Sequence, residues 1–174
     1  MFRIGFGSDI HRLVEGRPLI LGGVAVDSDL GAEGHSDADA LTHAITDAIL
    51  GALALGDIGS HFSDNEERWK NAESFVFLRY AVGLMKEKGF SVVNIDSIIN
   101  LERPKLRPFI EEMRENLATA LEVEVTVVSI KAKTGEGVNA VGEGRAVKAE
   151  VVVLLQVNKA SNDIFSEFNR RSNS

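Results

Sequence analysis

Between residues 37 and 55 the apolar side chains Leu41, Ile45, Ala48, Ile49, Ala52 and Leu55 recur at helical spacing. The pattern predicts an amphipathic helix with Ser36 as its N-cap, acidic residues in its first turn and Gly56 as its C′ residue. A second helix is predicted over 71–88, closed by Gly89. A third is predicted from Pro108, placed in the first turn, to about Leu121. Extended, β-branched or alternating runs predict strands at 2–6, 91–101, 123–133 and 146–157. Residues 18–26 read as two short strands around Gly22-Gly23.

The order is therefore strand, hairpin, two helices, strand, helix, strand, strand. That order predicts an α/β sandwich of the α+β type, a mixed four-stranded sheet with helices on one face. Residues 1–158 make one predicted domain. Residues 159–174 are polar and aperiodic, so they are predicted to be a frayed tail, with a partly helical stretch through Ile164-Phe165 and Phe168 as the alternative.

A chain of 174 residues is long enough for one core that buries roughly 70% of the unfolded surface. The net charge of −7, without a basic stripe, argues against general nucleic-acid binding. No apolar run approaches the ~20 residues of a membrane span. Cysteine is absent, which excludes disulfides and thiolate metal sites and fits a reducing compartment. Strand pattern begins directly at Met1-Phe-Arg-Ile, so no signal peptide is expected and the expected location is cytoplasmic. An acidic protein that handles an anionic substrate must gather its cations locally or employ a metal.

Candidate metal ligands come first among the chemical signals. Asp9 and His11 stand in Gly5-Phe-Gly7-Ser-Asp9-Ile-His11, and His43 closes His35-Ser36-Asp-Ala-Asp39-Ala-Leu-Thr-His43. In an extended segment, Asp-x-His points both side chains to one face. With a histidine from a following helix, the set has three N/O ligands and an open fourth position, as in a catalytic zinc site. Spacing alone leaves His43 as either a ligand or a core histidine. His35, two turns earlier, shares its face if the helix extends back that far. Asp47, one turn later, is either an orienting partner for the His43 ring or a solvated residue. Gly5-x-Gly7 reads as a tight turn or as a close backbone approach to a ligand.

Three further runs carry weaker signals. Gly56-Asp57-Ile-Gly59 and Ser63-Asp64 form a connecting loop whose carboxylates suit hydroxyls or a hard cation. Arg103-Pro104-Lys105 is a solvated turn or a frame for a base or phosphate. Lys131-Ala132-Lys133-Thr134-Gly-Glu136-Gly137 passes from strand to a glycine-rich turn that suits phosphate, with Glu136 placed to hold Mg²⁺.

Taken in order, Gly5-x-Gly7-x-Asp9-x-His11, Leu21-Gly-Gly, His35-Ser-Asp-x-Asp39, His43-Ala-x-Thr-Asp47-Ala, Gly56-Asp57-Ile-Gly59, Pro104-Lys105 and Lys131-Ala-x-Thr134-x-Glu136 closely resemble the 2-C-methyl-D-erythritol 2,4-cyclodiphosphate synthases. The resemblance spans about residues 2–157. It implies a homotrimer with sheets packed around its axis and active sites at subunit interfaces. The implied reaction closes 4-diphosphocytidyl-2-C-methyl-D-erythritol 2-phosphate to a cyclic diphosphate with loss of CMP, a step of non-mevalonate isoprenoid biosynthesis. By match to the family pattern, Asp9, His11 and His43 hold Zn²⁺, and Glu136 holds Mg²⁺ or Mn²⁺. His35 and Thr134 are the implied catalytic residues, through hydrogen bonds to the reacting phosphates. Ser36, Asp57 and Gly59 are implied to contact the methylerythritol and its phosphate, with Asp64 in the same substrate-binding set. Pro104, Lys105, Ala132 and Lys133 are implied to form the cytidine pocket. Gly142-Glu143-Gly144-Arg145 departs from the commoner Gly-Arg-Gly-Glu-Gly of the family by exchanging the charges.

A zinc phosphohydrolase needs the same ligand set and releases free phosphate instead. A non-catalytic, nucleotide-binding or zinc-stabilised trimer is the third reading, and it predicts that chelation melts the fold.

Overall fold

The computed structural model describes residues 1–62, Trp69 and 72–158. The first strand, β1 (Phe2–Val14), runs well past the predicted end at residue 6. Its C-terminal half is polar and glycine-rich, which masks the alternation. The backbone nonetheless pairs antiparallel with β7 (Ala146–Val157) from Phe2↔Gln156 to Arg12↔Ala146. The expected hairpin is present as β2 (Leu19–Leu21) and β3 (Val24–Val26).

A two-residue strand, β4 (Gly31–Ala32), joins the end of β1, so the main sheet has five strands rather than the predicted four. With β5 (Phe90–Asn100) and β6 (Val128–Lys133) the strand order is β4-β1-β7-β5-β6, and among these β5–β6 is the parallel pair. The predicted strand at 123–133 begins only at Val128, because Val125–Val127 forms a 3₁₀ turn. The short edge pairing and the turn have no periodicity of their own, so hydrophobic pattern cannot reveal them.

Helix α1 (Ala40–Ala52) starts later than predicted, and its N-cap is Asp39, not Ser36. The Asp39 carboxylate is fully buried and accepts from the N–H groups of Thr42, Gly22 and Gly23 and from the Thr42 hydroxyl. One side chain thus caps the helix and pins the β2–β3 hairpin to it. The helix ends in a Schellman arrangement, with Leu55 N–H on Leu50 O and Ala54 N–H on Gly51 O. The C′ residue is therefore Ala54 (φ 57°), two positions before the expected Gly56.

Two short helices, α2 (Ile58–His61) and α5 (Asn139–Gly142), were not foreseen. The other long helices are α3 (Ser74–Glu87), closed by Gly89 as expected, and α4 (Ile110–Leu121), which Pro108 enters through a 3₁₀ turn. Leu41, Ile45 and Ile49 of α1 lie in the core with Leu78, Met85, Ile95, Ile99, Met113 and Leu117. No helix among the described residues is long and apolar enough to cross a membrane.

Gly5 and Gly7 decide how α1 meets the sheet. A Cβ on Gly5 would lie 1.8 Å from Ala48 O, and one on Gly7 would lie 1.9 Å from Ala44 O. The two glycines are thus neither a turn nor a ligand cradle. They let a helix backbone rest on strand backbone, which brings residue 43 over residues 9 and 11.

Candidate metal centre

The odd-numbered residues of β1 face α1, so Asp9 and His11 emerge side by side beyond the two glycines. His43, in the first turn of α1, reaches down to them. His11 Nε2 lies 2.9 Å from Asp9 Oδ2, His43 Nδ1 lies 3.0 Å from the same oxygen, and the two ring nitrogens are 3.3 Å apart. Bonds of ~2.0 Å to one tetrahedral zinc separate the ligand atoms by about 3.3 Å. The three atoms already stand close to that spacing, and among the described residues they form the one cluster of potential metal ligands.

The remaining ring nitrogens are also engaged. His11 Nδ1 lies 2.9 Å from Glu33 O. A carbonyl only accepts, so Nδ1 carries the proton and Nε2 presents its lone pair to the cluster. His43 Nε2 lies 2.8 Å from Ser74 Oγ and 3.2 Å from Ser36 Oγ. Burial pushes the Asp9 pKa up, but hydrogen bonds and charge from His11 and His43 outweigh it and hold the carboxyl well below its usual range. Burial likewise opposes a proton on His11, yet Asp9 and the Glu33 carbonyl raise its pKa above the ordinary histidine value. A partly buried carboxylate between two oriented imidazoles fits a divalent, borderline-soft cation.

A cavity of about 260 Å³ opens on the cluster, walled by Phe62, Trp69 and Phe77. His35, Ser36 and Gly59 line it. The helix does not extend back to His35, so it shares no helical face with His43. Asp57 does not line this cavity. It caps α2, accepting from Ser60 N–H and Oγ at 2.8 and 2.6 Å. Asp47 makes no hydrogen bond to His43 either; its carboxylate accepts from Ile58 N–H at 2.7 Å and tethers the loop to α1. Burial raises its pKa against that hydrogen bond. Asp64 lies outside the described residues, as does the 159–174 tail.

Pro104, Lys105, Ala132, Lys133 and Thr134 gather around a separate cavity of about 250 Å³. Thr134 donates to Glu136 Oε1, and Glu136 lines neither cavity. His35 and Thr134, the two implied catalytic residues, are therefore on different cavities within one chain. Glu143 and Arg145 pair with each other on the surface.

Two contributors escaped sequence reasoning. Arg17 donates to Ala32 O, Gly34 O and Ser36 O at 3.3, 3.1 and 2.8 Å, gathering the loop that carries His35 and Ser36. Ser74, buried at the start of α3, touches the far side of His43. An isolated arginine near a hairpin and a serine at a helix start carry no signal of these roles.

Residues 2–156 match the model of the YgbB family. The 2-C-methyl-D-erythritol 2,4-cyclodiphosphate synthase of Solibacter usitatus is 56% identical over 154 residues, covering 88% of this chain and 97% of the relative. A solved 2C-methyl-D-erythritol-2,4-cyclodiphosphate synthase in its CDP-bound form is 42% identical with a TM-score of 0.82, covering 88% of this chain and 100% of that one. The bifunctional IspDF from Campylobacter jejuni is 37% identical with a TM-score of 0.87, covering 90% of this chain and 42% of that longer one. From the glycine-seated ligand cluster to matches that span nearly the whole fold, the chain belongs to the YgbB family, whose relatives here carry the name of the cyclodiphosphate synthase.

Proposed function

We propose that this chain converts 4-diphosphocytidyl-2-C-methyl-D-erythritol 2-phosphate to 2-C-methyl-D-erythritol 2,4-cyclodiphosphate and CMP, in non-mevalonate isoprenoid biosynthesis. An oxygen of the 2-phosphate forms a bond to the β-phosphorus. The bond from that phosphorus to the bridging oxygen breaks, and CMP departs with the electron pair. No water is consumed, and no side-chain nucleophile is needed because the attacking phosphate is already anionic. Catalysis rests on positioning and charge neutralisation.

The observation that carries this reading is the Asp9–His11–His43 cluster, with three ligand atoms converging at the mouth of a cavity. These residues hold Zn²⁺. When bound, the ion supplies positive charge to the phosphate under attack. Glu136, hydrogen-bonded to Thr134, holds Mg²⁺ or Mn²⁺. His35 and Thr134 donate to the reacting phosphates. Ser36, Asp57, Gly59 and Asp64 receive the methylerythritol end. Pro104, Lys105, Ala132 and Lys133 receive the cytidine end.

One substrate must then bridge two cavities that share no lining residue. A homotrimer in which the metal cavity of one copy meets the cytidine pocket of the next resolves this. Supporting it, Phe2, Ile4, Phe6 and Ile10 project from the sheet face opposite α1 and are 56–72% exposed. With Val152 of β7, paired to Phe6, they form an apolar stripe suited to packing sheets around an axis. The cytoplasm is the proposed compartment, in keeping with a chain that lacks cysteine.

Phosphorus NMR of the protein with this substrate, Zn²⁺ and Mg²⁺ tests the reading. CMP appearing together with a cyclic diphosphate is the expected result. Free phosphate would identify a phosphohydrolase, and no turnover by the metal-loaded protein would leave a binding protein.

A further inference from the structure

The zinc-facing atom of His43 is its Nδ1, which lies 3.0 Å from Asp9 Oδ2 and 3.3 Å from His11 Nε2. For that atom to offer a lone pair, the ring proton must sit on Nε2. Nε2 lies 2.8 Å from Ser74 Oγ, and a serine hydroxyl either donates or accepts. What decides its direction is the next group. Ser74 Oγ also contacts Asp37 Oδ1, and a carboxylate only accepts. The single hydroxyl proton therefore goes to Asp37, leaving the Ser74 oxygen to accept from His43 Nε2–H.

We propose that Asp37 and Ser74 form a positioning relay that fixes the His43 tautomer and thereby presents Nδ1 to the metal. The relay is held rigidly. Asp37 Oδ2 accepts from Ser74 N–H at 3.0 Å, Asp37 Oδ1 from Asp39 N–H at 3.3 Å, and Asp37 N–H donates to Ala72 O at 3.1 Å. Ser74 is fully buried. The relay spans the loop before α1 and the first residue of α3, so the packing of two helices is transmitted to one imidazole. Carboxylate partners behind a ligating histidine raise its basicity and set its orientation. Ser36 Oγ, also 3.2 Å from Nε2, already accepts from Ala38 N–H and has no carboxylate behind it.

This inference rests on the metal reading of the cluster, so its test separates the two. The variant is Ser74→Ala, which keeps the Ser74 N–H bond to Asp37 and with it the start of α3. In metal-free protein the Asp9 carboxylate, 3.0 Å from Nδ1, competes with Ser74 for the His43 proton, and long-range ¹⁵N–¹H NMR of labelled histidines is expected to show a substantial Nε2–H population. In Ser74→Ala that population is expected to fall, whereas Ser36→Ala keeps the wild-type signal. Zinc titrated against a chelator is expected to bind Ser74→Ala roughly tenfold to a hundredfold more weakly than wild type. A wild-type His43 with no Nε2–H population, or a Ser74→Ala variant with unchanged tautomer population and a zinc Kd within about twofold of wild type, would overturn the relay. Wild-type protein with the expected tautomer that binds no zinc would overturn the metal reading, and with it the purpose given to the relay.

Discussion

His11 Nε2 stands 2.9 Å from Asp9 Oδ2 on one face of β1, while the opposite nitrogen of the ring is held by Glu33 O. That arrangement raises the His11 pKa and lowers that of Asp9. Metal binding requires neutral His11, so protons compete with zinc up to a higher pH than at a free histidine. Zinc affinity is expected to climb as pH rises past about 6.5 and to level off only above the raised His11 value. Asp9, already ionised there, adds no slope. The metal-free fold should show the opposite trend. A protonated His11 stabilises it fully below the unfolded value and less as pH rises through the folded one, while the Asp9 contribution persists until acid titrates the folded carboxyl. Chelator competition and thermal melts across pH 6–9 check both, and a flat zinc affinity above pH 6.5 would count against the geometry.

Gly7→Ala places a methyl 1.9 Å from Ala44 O, which only movement of α1 relieves. The expected loss is roughly 1–3 kcal/mol or more of stability, with a marked drop in zinc affinity because His43 rides on the displaced helix. Gly51→Ala in the same helix has the opposite sign. Its Cβ meets only Phe6 O at 3.9 Å, so it is expected to gain about 0.5–1 kcal/mol from helix propensity. Urea denaturation of the two variants side by side separates close approach from mere glycine content.

The α1 core face, the hairpin and strands β5 and β7 were legible because burial imposes periodicity on their sequences. Asp9 and His11 were legible as a pair, since Asp-x-His in an extended run fixes a shared face, whereas spacing left His43 open and the fold brings it to them. Gly5-x-Gly7 was misread as a local device because its cause is the carbonyl oxygens of Ala44 and Ala48, some forty residues away in sequence. Asp39 was missed as the N-cap because Ser36 and Asp39 both offer a capping oxygen. The left-handed Ala38 between them turns the chain so that only Asp39 meets the helix. Asp47 and Asp57 spend their oxygens on backbone and serine donors.

Arg17 supports the site from beneath. Its guanidinium joins three carbonyls of the loop at 32–36, a fork geometry that lysine does not reproduce. Arg17→Ala is expected to cost about 2 kcal/mol of stability. Turnover should fall more than zinc affinity, because His35 and Ser36 ride on the loop while Asp9 and His43 sit on regular elements. Arg17→Lys should restore little of either. Steady-state kinetics beside zinc titration checks the ranking; equal losses in both would mean that the loop and the ligand cluster loosen together.

Subunit mixing tests whether the two cavities work across copies. His43→Ala disables the metal half and Glu136→Gln disables the half tied to Thr134. Each variant alone should be nearly inactive. If every site pairs the metal cavity of one copy with the Thr134 side of its neighbour, a trimer that holds both variants has about a third of its sites whole. If each site lies within one copy, every site in the mixture still carries a defect and no activity returns. Co-expression with two separable tags, purification of the doubly tagged species and a CMP-release assay give the answer. Phe6→Asp, placed on the exposed apolar stripe, is the companion variant. It is expected to sediment as a monomer that still binds zinc through Asp9, His11 and His43 but does not turn over. A fully active monomer would place the whole reaction in one chain and remove the reason for the stripe.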